Sequence, residues 1–463
     1  MFLLPPKPIR SFDEYLATDW GGLGIRRATE LGSAETIAEI ARSGLRGRGG
    51  AGFPTGRKWA TVAGASTSDR RFVVCNAAEG EPGTFKDRAL LRTNPYQVVE
   101  GLIIAANTMG ADRAYVCLKA SFEAEIAALT TAASEMQASG LCGDCEVALI
   151  AGPEEYLFGE EKAMLEVIEG REPLPRILPP YQHGLFATSP QAGWEASGPG
   201  PIVEGLRRTG SNPTLVNNAE TLANLAPILA RGADWFRSLG TAESPGSLIA
   251  TVVGDVSSPG VAEIELGTPL RRVIDLVGGG PLPGCSIQAV FSGVSNPVVK
   301  GDQLDVPMSY EGLSSIGSGL GAGGFVVYDQ TACMVEVARV FSRFLSVESC
   351  GQCSPCKLGS AEVTRLLERI QTSEADEDEV TEIGAWLAKV TDGARCYLAT
   401  QEAKVVGSIL SAFPDDFVAH LEGSCPRPRP IPIPKLVDLS GGKAVYDERQ
   451  ARKRPDWTYD ESR

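Results

Sequence analysis

The feature that most constrains this chain is a run of three cysteines in the segment SCGQCSPC. Cys350, Cys353 and Cys356 have a C-x-x-C-x-x-C spacing, which lets three thiolates bind neighbouring corners of an iron–sulfur cubane. Cys396, in a separate segment predicted to be helical, is the expected fourth ligand, ahead of Cys425. A structural zinc site with four cysteine ligands is the alternative, although such sites usually use two separated C-x-x-C pairs. The triplet therefore predicts a [4Fe–4S] cluster.

Length and charge narrow the class of protein. At 463 residues the chain exceeds one ordinary core and should divide into about three domains. Its net charge of −15 argues against a nucleic acid as the main partner. No apolar run approaches the ~20 residues of a membrane span, and prolines interrupt the start where a signal peptide would have its apolar helix. We expect a cytoplasmic protein whose eleven cysteines stay reduced, some of them binding metal.

A second motif, GLRGRGGAGFPTGRKW at residues 44–59, concentrates glycine and positive charge. Its spacing Gly47-x-Gly49-x-x-Gly52 matches the dinucleotide fingerprint, which requires a strand before it and a helix after it. The preceding residues have apolar positions at helical spacing, so the ordinary Rossmann fingerprint fails on context. Successive glycine N–H groups can still converge on one anion or a flat cofactor. The alternative is a flexible surface turn.

The remaining segments differ in pattern. Between residues 70 and 152, short apolar runs alternate with helical stretches, which predicts a doubly wound α/β layer with ligands at the carboxyl ends of its strands. Residues 245–310 combine short strands with one helical stretch, which is typical of a β-grasp module. From Gln330 to about Leu421 the apolar positions keep helical spacing. The tail from Pro426 is rich in proline and then in basic residues, which predicts an extended arm.

Other cysteines and the histidines give weaker signals. Cys142 and Cys145 form a lone C-x-x-C and are expected to be surface thiols. Four cysteines in apolar runs are expected to be buried packing residues, namely Cys75, Cys117, Cys285 and Cys333. His183 and His420 are the only histidines, which leaves almost no histidine for a zinc site or a catalytic triad.

The order of these segments resembles a known family, the FMN-binding, NADH-oxidising flavoprotein subunits of respiratory complex I, which includes subunits of NAD-linked formate dehydrogenases and hydrogenases. The resemblance runs from about residue 20 to residue 425 and rests on GLRGRGGAGFPTG, CNAAEGEPGTFKDR, GEEKAMLEVIEGR, NNAETL and SCGQCSPC. It implies a multi-domain α/β fold with a Rossmann-like FMN domain, a soluble ligand-binding β-grasp module and a helical-bundle [4Fe–4S] domain. The implied boundaries are 1–240 for the N-terminal segment and FMN/NADH domain, 241–325 for the β-grasp module, 326–425 for the iron–sulfur domain and 426–463 for the extended basic tail.

The resemblance also implies roles for individual residues. NADH would be bound by Phe53, Glu81, Glu161 and Tyr181, and the [4Fe–4S] cluster by Cys350, Cys353, Cys356 and Cys396. No side chain is expected to act as an acid or base, because hydride would pass from NADH to FMN. FMN would be held by Gly47, Arg48, Gly49, Gly50, Lys58, Asn76, Glu79, Tyr156, Gly159, Glu160, Asn217, Asn218 and Thr221.

Several positions near the expected nucleotide site depart from the family pattern. Ala78 stands in place of an aspartate, Thr61 of an aromatic residue, Leu178 of a lysine and Lys162 of a threonine. Residues 184–212 form a longer loop than the family has.

The expected function is that of the flavoprotein subunit of an NADH dehydrogenase. It would pass electrons from NADH through FMN and [4Fe–4S] to a separate [2Fe–2S] subunit or a ferredoxin, or in the reverse direction. It would belong to a hetero-oligomeric assembly, with no nucleic acid and no membrane span. The alternatives are an electron relay or scaffold that keeps both cofactors but has lost nucleotide binding, and a zinc-bearing β-grasp protein.

The basic tail suggests a docking site for an acidic ferredoxin, because the remainder of the chain would repel such a partner. The alternative is a solvated tail without a role. The basic residues concerned are Arg427, Arg429, Arg449, Arg452, Lys453 and Arg454.

Overall fold

A computed structural model of the chain divides into two compact units. The first comprises Met1–Glu79 and Asp87–Ile249, and the second comprises Gly80–Lys86 and Ala250–Arg463. Most of the long loop expected at 184–212 lies outside the described residues. The structure describes residues 2–65, 70–111, 113–143, 145–188 and 210–460.

The first unit alternates helices and strands. A 3₁₀ turn, Tyr156–Gly159, precedes the seventh helix. In chain order the described elements are α1 (Phe12–Leu16), α2 (Leu23–Ser43), α3 (Thr55–Ala63), β1 (Phe72–Asn76), α4 (Lys86–Thr93), α5 (Pro95–Met109), β2 (Arg113–Lys119), α6 (Glu123–Ala138), β3 (Glu146–Gly152), α7 (Glu161–Ile168), β4 (Thr214–Asn218), α8 (Ala219–Ala223), α9 (Leu225–Arg231) and α10 (Ala233–Arg237).

A parallel sheet forms the centre of the first unit, with its described strands in the order β3-β2-β1-β4. The register places Asn76, the last residue of β1, opposite Asn218, the last residue of β4. The first four residues of β1 are all buried, because a strand covered on both faces needs apolar side chains throughout. The predicted α/β layer is confirmed, and its carboxyl edge carries asparagines.

The glycine motif connects two helices. Gly32, with a φ of 72°, is not helical and divides α2 into two helical segments, the second of which covers the stretch predicted from its apolar spacing. After α2, the Gly47 N–H donates to the Phe53 carbonyl and the Thr55 N–H to the Leu45 carbonyl, both at 2.9 Å. These bonds close the motif into a narrow hairpin between α2 and α3. The motif therefore follows a helix and not a strand, as predicted, and the ordinary Rossmann fingerprint does not apply.

The second unit begins in chain order with a mixed α/β part and continues with helices. Short 3₁₀ turns lie at Gly301–Gln303 and Glu448–Arg452. Its described elements are β5 (Ser247–Gly254), β6 (Gly260–Glu265), α11 (Leu270–Gly278), β7 (Ile287–Ser292), β8 (Val299–Lys300), α12 (Tyr310–Ser315), β9 (Gly324–Asp329), α13 (Met334–Glu348), α14 (Ser354–Gln371), α15 (Glu377–Leu387), α16 (Leu398–Ala412), α17 (Pro414–Leu421), β10 (Leu436–Ser440) and β11 (Lys443–Tyr446).

The sheet of the second unit has the order β6-β5-β9-β7-β8. Strand β5 is parallel to β9, whereas β7 is antiparallel to both β9 and β8. The segment Gly80–Lys86 joins this unit through the Phe85 N–H, which donates to Thr251 Oγ1 of β5 at 3.0 Å. The mixed strands around one amphipathic helix, α11, agree with the expected β-grasp module.

Helices α13 to α17 form the helical part, in which α13 packs against α14 and α16. A buried hydroxyl network connects these three helices: Ser342 Oγ lies 2.8 Å from Thr364 Oγ1 and donates to Glu402 Oε1 at 2.6 Å. Burial raises the pKa of Glu402 to about 8, so this carboxyl is mostly protonated at neutral pH. The predicted C-terminal helical region is confirmed.

The C-terminal tail differs from the expected extended arm. Strands β10 and β11 pair as a hairpin, and the Lys453 ammonium is completely buried against the Glu348 carboxylate of α13 at 2.9 Å. Arg427 pairs with Asp416, and Arg429 pairs with Asp255. The carboxylates that pair with Lys453 and Arg429 lie 105 and 174 residues away in the sequence, so the sequence of the tail does not indicate them.

Cys142 and Cys145 also differ from expectation, because both are buried. Burial raises the pKa of Cys142 to about 11, so it remains a neutral thiol. Among the described residues, the helices are all too short or too polar to cross a membrane.

Candidate functional site

The candidate cofactor site of the first unit is built at the carboxyl ends of β1 and β4. Asn76 Nδ2 donates to the Gly159 carbonyl at 2.7 Å, and Asn218 Nδ2 donates to Asp87 Oδ2 at 2.7 Å. Asn217 Oδ1 accepts from the Trp59 indole N–H at 2.9 Å. Each predicted asparagine is therefore held in one orientation by a partner from another element.

The glycine hairpin lies against this strand edge. The Arg48 N–H donates to Thr221 Oγ1 at 2.8 Å, which joins the hairpin to α8. A Cβ at Gly49 would lie 3.2 Å from the Cβ of Asn218, so only bare backbone fits beside the asparagine without adjustment. Gly50 has a φ of 114°, a conformation that side-chain-bearing residues rarely adopt. These glycines let the backbone approach the strand ends closely.

The side chain of Arg48 is buried, and its guanidinium donates to the Pro245 carbonyl at 3.2 Å. Within the first unit, Arg48 thus anchors the hairpin at two points, through its backbone and its side chain.

The start of α7 supplies two of the predicted carboxylates. Glu160 caps the helix by accepting from the Lys162 and Ala163 N–H groups, and burial raises its pKa to about 7. Glu161 forms an ion pair with Lys58 of α3, with 2.6 Å between Oε2 and Nζ. The pair joins a residue predicted to bind FMN with one predicted to bind NADH.

Other predicted residues have different surroundings. Glu79 is buried against the Arg88 guanidinium at 2.9 Å. Phe53 and Tyr181 expose their rings, whereas Tyr156 begins the 3₁₀ turn before α7. Glu81 belongs to the second unit, where its carboxylate accepts from the Val294 N–H at 2.7 Å and the Ser295 hydroxyl at 2.6 Å.

Sequence reasoning missed two residues that organise this site. Asp87 and Trp59 each bind a predicted asparagine through a side-chain hydrogen bond. Trp59 directly follows the predicted Lys58, and Asp87 lies in the segment CNAAEGEPGTFKDR that carried the family resemblance. The sequence therefore placed both residues in or beside the motifs, but it did not show that they bind Asn217 and Asn218.

The donor set fits FMN. A flat isoalloxazine ring needs close backbone approach and amide groups at its edge, and the Gly49 hairpin with the three asparagines provides both. A phosphate needs N–H groups or a cation, which the glycine hairpin and Lys58 can supply.

The predicted cluster cysteines lie at the start of α14 and before α16. Cys353 is the N-cap residue of α14, Cys356 lies in its first turn, and Cys350 precedes it in the connecting turn. Cys396 lies two residues before α16. The Lys357 ammonium donates to the Ser349 carbonyl at 2.7 Å and so binds this turn to the helix.

These four cysteines fit an iron–sulfur cluster in chemistry and spacing. Each iron of a cubane takes one thiolate, and corner ligands stand farther apart than the ligands of a single ion. Among the described residues, a group of three ligand atoms within 4.8 Å of one another occurs elsewhere, at Cys333, His420 and Cys425. The predicted cluster cysteines do not form such a group.

Three parts of the chain match known families. Residues 40–227 match the Nuo51 FMN-binding domain, and residues 336–420 match the iron–sulfur binding region of NADH-ubiquinone oxidoreductase-F. The chain belongs to the family of the NADH-quinone oxidoreductase F flavoproteins. Residues 249–288 match the SLBB domain, at the place of the expected β-grasp module.

Individual relatives extend this family match over most of the chain. The F 2 subunit of NADH-quinone oxidoreductase from Rhizobium meliloti (strain 1021) is 36% identical over 412 residues, 87% of this chain and 92% of the relative. The HndC subunit of the NADP-reducing hydrogenase from Solidesulfovibrio fructosivorans is 35% identical over 428 residues, 90% of this chain and 82% of the relative. A crystal structure of NAD+-reducing [NiFe]-hydrogenase in the air-oxidized state has a TM-score of 0.75 at 30% identity and covers 89% of this chain and 67% of that chain.

The family assignment agrees with the two candidate sites. The matched FMN-binding region contains all thirteen residues predicted to hold FMN, and the matched iron–sulfur region contains the four predicted cluster cysteines. The chain is thus an oxidoreductase flavoprotein subunit with an FMN-binding and a [4Fe–4S]-binding domain.

Proposed function

We propose that this flavoprotein oxidises NADH and passes the electrons through FMN and the [4Fe–4S] cluster to a separate [2Fe–2S] subunit or a ferredoxin. The observation that carries the proposal is the bare-backbone hairpin at Gly49, packed against the oriented asparagines at the ends of β1 and β4. The names of the relatives, which include the F subunits of NADH-quinone oxidoreductases, support the same donor.

When bound, FMN would supply chemistry that couples a two-electron hydride donor to a one-electron cluster. In this chain, Asn76, Asn217 and Asn218 would orient the ring edge, because each amide is already held by a fixed partner. The N–H groups of the glycine hairpin and the Lys58 ammonium would bind the phosphate. Bare backbone at Gly49 would let the ring lie close to the strand ends and exclude water there.

The residues proposed for NADH suit a nucleotide. Phe53 exposes 47% of its surface, and its ring can stack on a base or a nicotinamide. The Arg57 guanidinium lies 5.7 Å from the centre of that ring and adds positive charge for a pyrophosphate. The Glu161 carboxylate, held by Lys58, can accept hydrogen bonds from ribose hydroxyls.

One observation favours the second candidate, a relay that has lost nucleotide binding. Lys162, which replaces the threonine of the family pattern, reaches the Glu160 carboxylate with 3.9 Å between Nζ and Oε1. A long cation in this place changes both the charge and the space next to Glu161.

Anaerobic reduction of the purified flavoprotein distinguishes the two candidates. If the chain oxidises NADH, stoichiometric NADH should bleach the flavin absorbance, and one-electron reduction of the cluster should follow in the EPR spectrum. Bleaching by dithionite together with an unchanged spectrum after NADH would support the relay and contradict the proposed function.

Glu161→Ala should shift coenzyme preference toward NADPH. The carboxylate repels a 2′-phosphate in a partly desolvated site, and the alanine variant lacks this repulsion. We expect the ratio of kcat/KM for NADPH to that for NADH to rise about tenfold, which corresponds to about 1.4 kcal/mol. Steady-state kinetics with an artificial electron acceptor measures both constants.

The control for this change is Glu172→Ala, which removes an exposed carboxylate in the same unit. It should leave the ratio unchanged. An unaltered ratio in Glu161→Ala as well would show that this carboxylate does not contact the nucleotide.

The proposal extends to the surroundings of the flavoprotein. Its relatives are named as subunits of NADH-quinone oxidoreductases and a hydrogenase, so we place it in a hetero-oligomeric assembly that supplies the electron acceptor. The acidic composition argues against nucleic acid as a partner, and we place the assembly in the cytoplasm.

A further inference from the structure

Three residues from separate elements of the second unit converge in a compact thiol and imidazole cluster, here called the Cys333 cluster: Cys333, His420 and Cys425. Cys333 is the N-cap residue of α13, His420 lies in the last turn of α17, and Cys425 follows that helix at the start of the tail. Their ligand atoms all lie within 4.8 Å of one another. Cys333 Sγ and His420 Nε2 are 3.2 Å apart.

Two of the three residues are buried, and the nearby Asp416 carboxylate is bound by other groups. Cys333 is 1% exposed and His420 is 0% exposed, while Cys425 is half-buried. The nearby Asp416 carboxylate already accepts from the Met334 N–H and the Arg427 guanidinium, both at 2.9 Å. Among the side chains that the structure describes, the buried imidazole thus faces two thiols and has no carboxylate partner of its own.

The positions of Cys333 and His420 favour a ligand between them. Cys333 is the N-cap residue of α13, so it lies at a helix N-terminus, where the helix dipole stabilises negative charge. His420 Nδ1 is buried and has no hydrogen-bond partner in the structure, and Nε2 of the same ring lies 3.2 Å from Cys333 Sγ.

The chemistry of the three groups selects a single zinc ion rather than a second iron–sulfur cluster. Two thiolates and one imidazole, completed by water, are a known zinc ligand set, and thiolates and imidazole suit zinc better than magnesium or calcium. The three ligand atoms are also too close together to serve separate corners of a cubane. Cys333 and Cys425 lie outside the matched iron–sulfur region, residues 336–420.

We propose that Cys333, His420 and Cys425 bind one zinc ion, with water as the fourth ligand. The ion joins the start of the C-terminal tail to α13 and α17, at a point where the chain turns into its proline-rich segment. Because its three protein ligands come from α13, α17 and the start of the tail, the ion ties the tail to these two helices.

Metal content of the full-length holoprotein tests the site. After removal of any affinity tag, inductively coupled plasma mass spectrometry should find about one zinc per chain in addition to about four irons. Cys425→Ser should lower the zinc content at least fivefold and leave iron and FMN unchanged. Cys285→Ser, which alters a half-buried cysteine outside the cluster, is the matched control and should keep all three.

Zinc K-edge X-ray absorption on the unmodified protein gives a second readout that does not depend on the folding of a variant. It should show two sulfur and two lighter ligands, with Zn–S near about 2.3 Å. Wild-type protein without zinc, or a Cys333–Cys425 disulfide found by mass spectrometry, would overturn the proposal. Zinc retained in Cys425→Ser, or iron lost together with zinc, would overturn it as well.

Discussion

Replacement of Cys353 by serine is expected to abolish the [4Fe–4S] cluster. Cys353 is the N-cap residue of α14 and the middle ligand of the triplet, so its loss leaves one iron without a thiolate. The low-temperature EPR signal of the reduced cluster should disappear, and the iron content should fall from about four per chain to nearly zero. Because cluster binding is coupled to folding, the helical region should also melt at a lower temperature.

Two further variants identify the fourth ligand. Cys396→Ser should reproduce the loss of the EPR signal, whereas Cys425→Ser should retain it. Cys425 was the weaker candidate from the sequence, and the structure places it with Cys333 and His420 instead. Retention of the signal in Cys396→Ser together with its loss in Cys425→Ser would reverse the ligand assignment.

The second large effect is expected for Lys453→Ala in the C-terminal tail. The Lys453 ammonium lies 2.9 Å from both Glu348 carboxylate oxygens, and both side chains are completely buried. Removal of one partner of a buried ion pair costs about 3–5 kcal/mol in the free energy of unfolding. Urea denaturation followed by the fluorescence of Trp386 and Trp457, both in the second unit, measures this change.

The matched control is Arg454→Ala, the neighbouring cation. It pairs with Asp460, and both side chains are more than half exposed. Exposed ion pairs contribute about 0–1 kcal/mol, so this variant should unfold at nearly the wild-type urea concentration. Equal destabilisation by the two substitutions would contradict the importance of the buried pair.

The same pair gives a pH dependence with a definite sign. Burial alone raises the pKa of Glu348, but the charges of Lys453 and Lys435 outweigh it and hold this pKa below its ordinary value. A carboxyl with a lowered folded-state pKa contributes stability above its unfolded pKa and loses it as the pH falls through the folded value. The difference in unfolding free energy between wild type and Lys453→Ala should therefore shrink in acid.

The buried lysine also affects how ferredoxin docking can be tested. Deletion of residues 447–463 would remove Lys453 and the Trp457 indole, which donates to the Val347 carbonyl at 3.0 Å. The truncated chain would lose stability whether or not the tail contacts a partner. The single substitution Arg452→Ala is a sharper probe, because this side chain is exposed on the final 3₁₀ turn.

The sequence by itself determined the features that depend on residues close together in the chain. The C-x-x-C-x-x-C spacing indicated the cluster turn because ligands within one turn have nearly the same geometry in any fold. Alternating apolar runs indicated the parallel layer because a strand buried on both faces must be apolar throughout. The helix before the glycine motif excluded the ordinary Rossmann loop for the same local reason.

Only the tertiary structure decided which distant residues meet. Cys333 and His420 are 87 residues apart, and Lys453 and Glu348 are 105 residues apart. In the sequence, Cys333 is one more cysteine in an apolar run, and Lys453 is one more cation in a charged tail. Their partners depend on how α13, α17 and the tail pack, and such packing is the sum of many weak contacts that no short spacing encodes.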